Sequence, residues 1–319
     1  MYARVSAKKA KLYTEKDYSQ FLKMDVNEIS RKMEEGEYSE EINQLGSELS
    51  GAALIENALN LSLSNTFQHL LDISSEDAKP IIKAYNRRFD LESYKKILRW
   101  KQNGQKKSIN NLVHNIEGLG IDREELEEMS LEDLKNKISF PEALVDYQDA
   151  IKDCNSIKEV ENCLDKAYAR EMRELSNKVQ SSEFKKYIKN EQFYQDVKLA
   201  LRLKKYGADE ESIMERMVSE DLEDLQDIIY SSSFEDAIGE AEKITGVEGD
   251  NLEELEHCIK QKRLQEAVST LHREPLGLSS VIGYMVAKTI EVENLRMIAR
   301  AKETGIQNQD TIKDNLVLN

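Results

Sequence analysis

The sequence predicts an all-α protein made of three similar helical copies of about 100 residues each, placed one after another in the chain. Three observations predict this class. The 319 residues contain only 3 prolines, so long helices can run without interruption. Apolar residues recur at helical spacing, and no alternating run bounded by turn signals predicts a strand. A pattern that ends a helix occurs three times, which divides the chain into copies 1–110, 111–212 and 213–319.

The repeated pattern is an Arg, a Lys two residues later and a Gly three residues after that. It stands at Arg99, Lys101 and Gly104, at Arg202, Lys204 and Gly207, and at Arg300, Lys302 and Gly305. The second Arg follows the first by 103 residues, and the third follows the second by 98. Two more landmarks keep this order. One is a run of an apolar residue, Glu, an amide or His, a small residue and an apolar residue, at 55–59, 160–164 and 255–259; the other is Tyr85, Tyr187 and Tyr284.

Each copy has the same predicted order of elements. A first helix has an apolar face formed by Val26, Ile29 and Met33, by Leu131, Leu134 and Ile138, or by Leu222, Leu225 and Ile228. A second element follows a break, over residues 36–45, 139–151 and 231–244. The third element is the helix with the Glu landmark, at Glu56, Glu161 and Glu256. The fourth is a long helix that ends at the repeated Gly.

The long helices carry apolar stripes that predict burial. The stripe consists of Ile81, Ile82, Tyr85, Tyr94, Ile97 and Leu98 in the first copy, and of Val281, Ile282, Met285, Val292, Leu295, Ile298 and Ala299 in the third. Pro80 and Pro275 stand near the helix starts, where a missing N–H costs least. The repeated Gly predicts a left-handed helix stop after a cationic last turn. We interpret the repeated Arg as structural, with its stem on apolar surface and its head in water.

Charge excludes two classes of partner. The chain has 45 Lys and Arg against 61 Asp and Glu, a net charge of −16, which argues against binding to nucleic acid and to anionic lipid. The longest stretch without charge, residues 275–287, is shorter than the ~20 residues of a membrane span. The N-terminal residues lack the apolar region of an export signal. Three scattered cysteines indicate a reducing compartment, so we expect a soluble cytoplasmic protein.

The histidines and cysteines form no reactive motif. His69, His114, His257 and His272 never stand three or four residues apart, as two zinc ligands on one helix would. We interpret His257 as a packing residue of the Glu landmark. Cys163 and Cys258 occupy the small-residue position of that landmark and are interpreted as core fillers.

The glycine-rich stretch 277–283 fits neither of two known sites. A phosphate-binding loop needs Lys and Ser or Thr after its last Gly, where Tyr284 stands, and a nucleophile elbow needs Gly in place of Val281. We interpret its small residues as a close contact between helices. Carboxylate runs such as Glu124-Glu125, Glu127-Glu128 and Glu253-Glu254 are typical of solvated faces. The sequence therefore predicts no catalytic, cofactor-binding or metal-ligating residue, no cofactor and no small-molecule substrate.

One segment carries a family resemblance. Its residues are Pro275-Leu276-Gly277-Leu278, Gly283-Tyr284, Glu291-Val292, Asn294-Leu295-Arg296, Ile298-Ala299-Arg300, Lys302 and Gly305. This run resembles the C-terminal signature of the C subunit of archaeal-type (A-type) ATP synthases, which is related to the d subunit of the vacuolar ATPase. Stretches 90–104 and 195–207 resemble the family's inner helices, and Tyr2-Ala3-Arg4-Val5 resembles its start. Gly305-Ile306-Gln307 lacks the Pro that often follows this Gly in the family.

The resemblance implies a mechanical role. It implies three helical units arranged as a funnel or socket, in a non-catalytic rotor subunit on the cytoplasmic end of the membrane proteolipid ring. That subunit receives the foot of the central shaft, formed by the D and F subunits, and couples proton or sodium flow to ATP synthesis. The protein would then be peripheral on the cytoplasmic face of the cell membrane and would bind no nucleotide.

Two other classes of function remain open. A free-standing helical-repeat scaffold for cytosolic proteins fits the composition, although it leaves the match over residues 274–305 unexplained. A helical hydrolase with an unlocalised active site is the third reading. It would require turnover by the isolated chain that is lost on changing one polar residue.

Overall fold

The computed structural model describes residues 2–104, 123–274, 277–306 and 308–318. These residues form helices joined by turns, with no strand among them, which confirms the all-α class. The chain divides into two compact units. Unit 1 comprises Met1–Ser74, Ser181–Tyr194 and Glu242–Asn319, and unit 2 comprises Ser75–Gln180 and Gln195–Ala241. The division into three copies at 1–110, 111–212 and 213–319, and their funnel arrangement, stay predictions.

The described residues form α-helices of very different lengths. They are α1 Tyr2–Lys9, α2 Glu15–Phe21, α3 Val26–Glu34, α4 Ser39–Leu45, α5 Gly51–Ile73, α6 Lys79–Gln102, α7 Arg123–Glu128, α8 Leu131–Lys137, α9 Tyr147–Ile151, α10 Ile157–Lys178, α11 Ser182–Lys205, α12 Glu210–Met214, α13 Gln226–Ile229, α14 Phe234–Thr245, α15 Leu252–His272, α16 Leu278–Glu303 and α17 Gln309–Asp314. The Glu-landmark helices are α5, α10 and α15. The long helices are α6, α11 and α16.

Capping residues define where several helices begin. The Asp25 carboxylate accepts hydrogen bonds from the Asn27 and Glu28 N–H groups, and Glu28 accepts one from the Asp25 N–H in return. Ser130 and Asp133 form the same reciprocal box at the start of α8. Each box satisfies backbone donors that have no partner inside the helix, which stabilises the first turn by about 1 kcal/mol.

The first element of the third copy differs from the prediction. Instead of one helix through Leu222, Leu225 and Ile228, a 3₁₀ turn Glu223–Leu225 precedes the four-residue helix α13. The Leu225 N–H donates to the Leu222 carbonyl at 3.0 Å, and this three-residue bond tightens the turn so that α-helix begins only at Gln226. Leu225 and Ile228 are nevertheless buried, so the apolar face is present.

Helix α16 is the centre of unit 1. It packs on α5, α15, α1 and α3, and every residue of its predicted stripe is buried. A Cβ placed on Gly283 would lie 3.0 Å from the Cβ of Leu271, so the missing side chain lets α16 approach α15 closely. This confirms the interpretation of the small residues in this stretch.

Unit 2 has its core between α6, α8, α9 and α10. Tyr94, Leu134, Tyr147 and Leu164 are among its buried residues. The Tyr94 hydroxyl donates to the Leu134 carbonyl at 2.8 Å, so the one polar atom of that ring is satisfied inside the apolar core. The predicted stripe of α6 is buried throughout.

The three repeated glycines end the long helices as predicted. Their φ angles are +71° at Gly104, +73° at Gly207 and +81° at Gly305, all left-handed. The residue after Gly207 donates its N–H to the Leu203 carbonyl at 3.0 Å, and the residue after Gly305 donates to the Ala301 carbonyl at 2.9 Å. These bonds close two of the helix ends. Pro80 lies in the first turn of α6 as predicted, whereas Pro275 lies outside the described residues.

Two glycines of unit 2 predict opposite effects of the same substitution. A Cβ on Gly207 would meet nothing within 4 Å, so Gly207→Ala costs backbone strain alone, and we expect it to lower the free energy of unfolding by about 1 kcal/mol. Gly239 lies inside α14, also with open space for a Cβ, and Gly239→Ala should raise that free energy by about 0.5–1 kcal/mol. Urea unfolding followed by circular dichroism measures both. Equal signs for the two variants would contradict the assignment of Gly207 as the helix stop.

Candidate functional site

Two of the repeated arginines, Arg99 and Arg300, bind a landmark Glu that lies outside their own predicted copy. In unit 2, Arg99 at the end of α6 donates to both carboxylate oxygens of Glu161 on α10, at 2.5 and 2.8 Å. In unit 1, Arg300 at the end of α16 forms the equivalent bidentate contact with Glu56 on α5. This fits the structural interpretation of the repeated Arg, since the two side chains are 55% and 60% exposed while each head group also binds a carboxylate.

A second pair lies one helical turn further along the same helices. Lys95, four residues before Arg99, contacts Asp165, four residues after Glu161, at 2.5 Å. The equivalent residues of unit 1 are Arg296 and Asn60, which form a hydrogen bond of 2.6 Å. From the first contact to the second, the residue number falls by four on the long helix and rises by four on the landmark helix. The two helices of each pair therefore run antiparallel.

A third set of contacts is made by the residue that stands twelve positions before the repeated Arg. Arg87 on α6 binds Glu171 on α10 in unit 2. Asn190 on α11 donates to Glu266 on α15 at 3.3 Å in unit 1, and it stands at the same distance from Arg202 as Arg87 does from Arg99. In these contacts α6 meets α10, α11 meets α15 and α16 meets α5, so each long helix contacts a Glu-landmark helix from a different predicted copy.

Two of the repeated lysines, Lys204 and Lys302, also bind outside their own helices. Lys302 donates to the Leu22 carbonyl at 2.7 Å in unit 1, and Lys204 donates to the Ser231 carbonyl at 3.0 Å in unit 2. Each carbonyl lies at the end of a short helix in the following copy. In these examples Arg or Lys binds a residue outside its own helix, while Gly ends the helix.

A buried polar cluster lies in unit 1 around Glu291. Its carboxylate accepts hydrogen bonds from the Tyr13 N–H at 2.6 Å, from the Tyr38 hydroxyl at 2.7 Å and from the Lys288 ammonium at 2.7 Å. Lys288 also donates to the Tyr38 oxygen at 2.9 Å and lies 4.1 Å from the centre of that ring. Burial and the neighbouring Glu291 raise the pKa of Tyr38 well above its usual value, so its hydroxyl stays a donor.

Unit 2 contains a cluster of the same composition. The Glu171 carboxylate accepts from Arg87, from the Tyr147 hydroxyl at 2.7 Å and from the Leu144 N–H at 3.2 Å. The Arg87 guanidinium lies 5.0 Å from the Phe140 ring centre. As in unit 1, one carboxylate binds one cation, one tyrosine and one backbone N–H.

The two clusters take their carboxylate from different helices. Arg87 and Lys288 are equivalent, since each stands twelve residues before the repeated Arg. Their carboxylate partners are not equivalent, because Glu171 comes from the landmark helix and Glu291 from the long helix itself. Sequence reasoning missed both clusters. The signal was a cation inside the apolar stripe, which becomes visible when the copies are aligned on the Arg-Lys-Gly pattern.

Several polar groups that line a cavity of unit 1 bind one another. A cavity of about 400 Å³ is lined by Lys11, Glu37, Glu41, Asn65 and Lys288 among others. Lys11 binds Glu37 at 2.9 Å, and Asn65 donates to Glu41 at 3.1 Å. Lysines and glutamates both line this cavity, so charges of opposite sign lie side by side, which disfavours a strongly charged ligand.

The described histidines lie on α5 and α15 and have different surroundings. The His257 ring lies 3.2 Å from the Asp314 carbonyl and helps to hold the C-terminal segment, while His69 lies on α5 and His272 ends α15. Burial and Lys9 lower the pKa of His272. His114 lies outside the described residues. Among the residues that the structure describes, no group of three or more His, Cys, Asp or Glu could hold a metal ion.

The cysteine interpretation was incomplete. Cys154 is buried, and its Sγ lies 2.7 Å from the Sγ of Cys163, whereas Cys258 lies on α15 in unit 1. Cys163 and Cys258 are both partly exposed, and Cys163 packs against the core of unit 2.

Unit 2 also exposes large apolar side chains. Tyr206 is 84% exposed and Tyr230 is 61% exposed, and the Tyr230 hydroxyl lies 4.0 Å from the Met214 sulfur. Tyrosine and methionine are enriched where proteins contact other proteins. Across the described ranges, no helix is both long and apolar enough to cross a membrane.

Comparison with known proteins gives one consistent family. A family model described as ATP synthase (C/AC39) subunit matches residues 1–314. The chain is 30% identical over 336 residues to the C subunit of the A-type ATP synthase of Methanosarcina acetivorans, covering 99% of this chain and 91% of that protein. It is 29% identical to the protein of the same name from Methanococcoides burtonii, with 99% and 93% covered, and 30% identical to that of Halorubrum lacusprofundi, with 99% and 96% covered.

The Glu291 cluster predicts a large loss of stability when the charge of its carboxylate is removed. Glu291→Gln leaves the buried Lys288 ammonium without a carboxylate, so the free energy of unfolding should fall by about 3–5 kcal/mol. The control Glu56→Gln breaks an ion pair whose arginine is 60% exposed and should cost less than about 1 kcal/mol. Adding Lys288→Met to Glu291→Gln should recover part of the loss. Equal losses in the two single variants, measured by urea unfolding, would contradict this account.

Asp90 predicts a pH dependence of stability. It stands nine residues before Arg99, as Glu291 does before Arg300, and burial, partly opposed by Arg87, raises its pKa to about 6. The folded state therefore binds this proton more tightly than the unfolded state. The contribution to stability is present below pH ~4 and is lost as the pH rises through about 6.

The variant Asp90→Asn should remove this dependence. Relative to the variant, the unfolding free energy of the natural chain should fall by about 2 kcal/mol between pH 4 and pH 7. The control Glu76→Gln replaces a carboxylate that is 88% exposed and should follow the natural chain. Parallel profiles for the natural chain and Asp90→Asn, in urea unfolding at each pH, would refute the assignment.

Proposed function

The chain belongs to the ATP synthase (C/AC39) subunit family, and on this premise we propose that it is the non-catalytic central-stalk rotor subunit of an A-type ATP synthase. The observation that carries the proposal is the match to proteins named as the C subunit of A-type ATP synthases, which covers 99% of this chain.

In this role the chain connects two other parts of the complex. We propose that one side sits on the proteolipid ring of the membrane domain and the other receives the foot of the central shaft, formed by the D and F subunits. Rotation driven by proton or sodium flow then passes through this chain to the shaft and drives ATP synthesis. The chain itself hydrolyses no nucleotide and moves no ion.

The contacts between copies support such a role. A coupling part has to resist twisting, and here long helices are tied to other copies by two-pronged Arg–Glu pairs and by buried clusters. Exposed pairs of this kind contribute only about 0.2–1 kcal/mol each. The buried carboxylates have fixed geometry because three donors converge on each of them, which favours one rigid arrangement.

The charge of the chain supports attachment through protein. A net charge of −16 opposes binding to anionic headgroups, and the exposed Tyr206 and Tyr230 suit a protein partner. We therefore place the chain on the cytoplasmic face of the membrane as a peripheral protein, held there by the ring. Its interfaces should each reach the standard size of ~1,200–2,000 Å² in total.

Purification from membranes tests the proposal. A tagged chain, expressed in the organism that encodes it, should be recovered from detergent-solubilised membranes with the other ATP synthase subunits and with ATP hydrolysis. The chain purified alone should hydrolyse no ATP. A tagged chain found entirely in the soluble fraction without those subunits would overturn the proposal and favour the free-standing scaffold.

Vesicle binding tests the mode of attachment. The purified chain should bind membranes that contain the proteolipid ring and should bind protein-free vesicles of anionic lipid at least tenfold more weakly. Equal binding to both would show that lipid holds the chain, and it would refute attachment through protein while leaving the rotor role to the purification experiment.

A further inference from the structure

Two cysteines of unit 2 lie in contact although they are nine residues apart in the chain. The Sγ atoms of Cys154 and Cys163 are 2.7 Å apart, and both residues are thiols. A disulfide bond is about 2.05 Å long, so its formation needs only a small movement of the two sulfurs. No step of the rotor role uses this pair.

The backbone around Cys154 is held in place by several hydrogen bonds. Cys154 lies in the turn between α9 and α10, its N–H donates to the Ile151 carbonyl at 3.1 Å, and its carbonyl accepts from the Lys135 ammonium at 2.9 Å. The turn continues into the capped start of α10, where Glu159 accepts from the Asn155 N–H at 2.8 Å. Cys163 lies on the second turn of α10 and faces this fixed turn. The pair is therefore pre-organised.

We propose that Cys154 and Cys163 form a reversible dithiol–disulfide site whose oxidant is a low-molecular-weight disulfide. The Cys163 thiolate attacks the small disulfide, forms a mixed disulfide with one half and releases the other half as a thiol. The Cys154 sulfur then attacks the Cys163 sulfur, gives its proton to solvent and displaces the second small thiol. One small disulfide is reduced to two thiols, and two protein thiols become one disulfide. An excess of small thiol reverses both steps.

The environment of the two sulfurs indicates which of them reacts first with the small disulfide. Burial, the hydrogen bond with Cys163 and the nearby Glu159 raise the pKa of Cys154 to about 12. Cys154 is only 6% exposed, whereas Cys163 is partly exposed and can meet a dissolved reagent. Cys163 is therefore the attacking residue and Cys154 the resolving residue.

The disulfide would act on the contact between copies. Cys163 lies two residues after Glu161, which binds Arg99 of the preceding copy. A bond from Cys163 to the turn at Cys154 fixes the first two turns of α10, and with them the position of that Glu. Oxidation would thus restrict the motion of the Arg99–Glu161 ion pair, which joins α6 to α10.

Thiol mapping of the full chain tests the site. In mixtures of reduced and oxidised glutathione, the number of thiols that react with an alkylating reagent should fall from three to one. Peptide mapping should find residues 154 and 163 joined and Cys258 alkylated, and excess reduced glutathione should restore three thiols. Cys258 serves as the internal control, because it occupies the same landmark position in copy 3 as Cys163 does in copy 2.

Three variants separate the steps. Cys154→Ser should stop at a glutathione adduct on Cys163, Cys163→Ser should give no cross-link, and Cys258→Ser should behave as the natural chain. A stable glutathione adduct on Cys163 of the natural chain, three reactive thiols after oxidation, or a cross-link that involves Cys258 would each overturn the proposal. The mapping of the natural chain decides the question even where a variant folds poorly.

Discussion

The buried carboxylate of Glu291 is the constraint on which much of unit 1 depends. It is 3% exposed in the middle of α16, and an unpaired charge at such depth costs several kcal/mol. Its three donors come from the chain before α2, from the residue before α4 and from α16 itself. The segments that carry Tyr13 and Tyr38 must therefore lie on α16, and they bring the N-terminal helices with them.

The same logic appears in unit 2 with different residues. Arg87 takes the place of Lys288, and Glu171 supplies the carboxylate from a different helix. The neighbouring carboxyl of Asp90, at the position of Glu291, then has a pKa raised to about 6 by burial. In both units a buried cation binds a carboxylate, but the carboxylate comes from the landmark helix in unit 2 and from the long helix in unit 1.

Contacts between the predicted copies give a structural reason for the Arg and Lys of the repeated pattern. A helical unit of this size leaves an apolar face uncovered, and a neighbouring unit covers it. Here Arg99, Arg300 and Lys302 bind residues outside their own predicted copies, while the repeated Gly acts within its own helix.

The sequence by itself determined the features that depend on neighbours three or four residues apart. The all-α class, the buried stripes of α6 and α16 and the left-handed stops at Gly104, Gly207 and Gly305 all follow from helical period and local conformation. Only the tertiary structure decided the pairing of Arg300 with Glu56 and of Cys154 with Cys163, and the partner of each buried cation. The reason is physical: many carboxylates in this acidic chain could bind a given cation, and helix packing alone selects the one within reach.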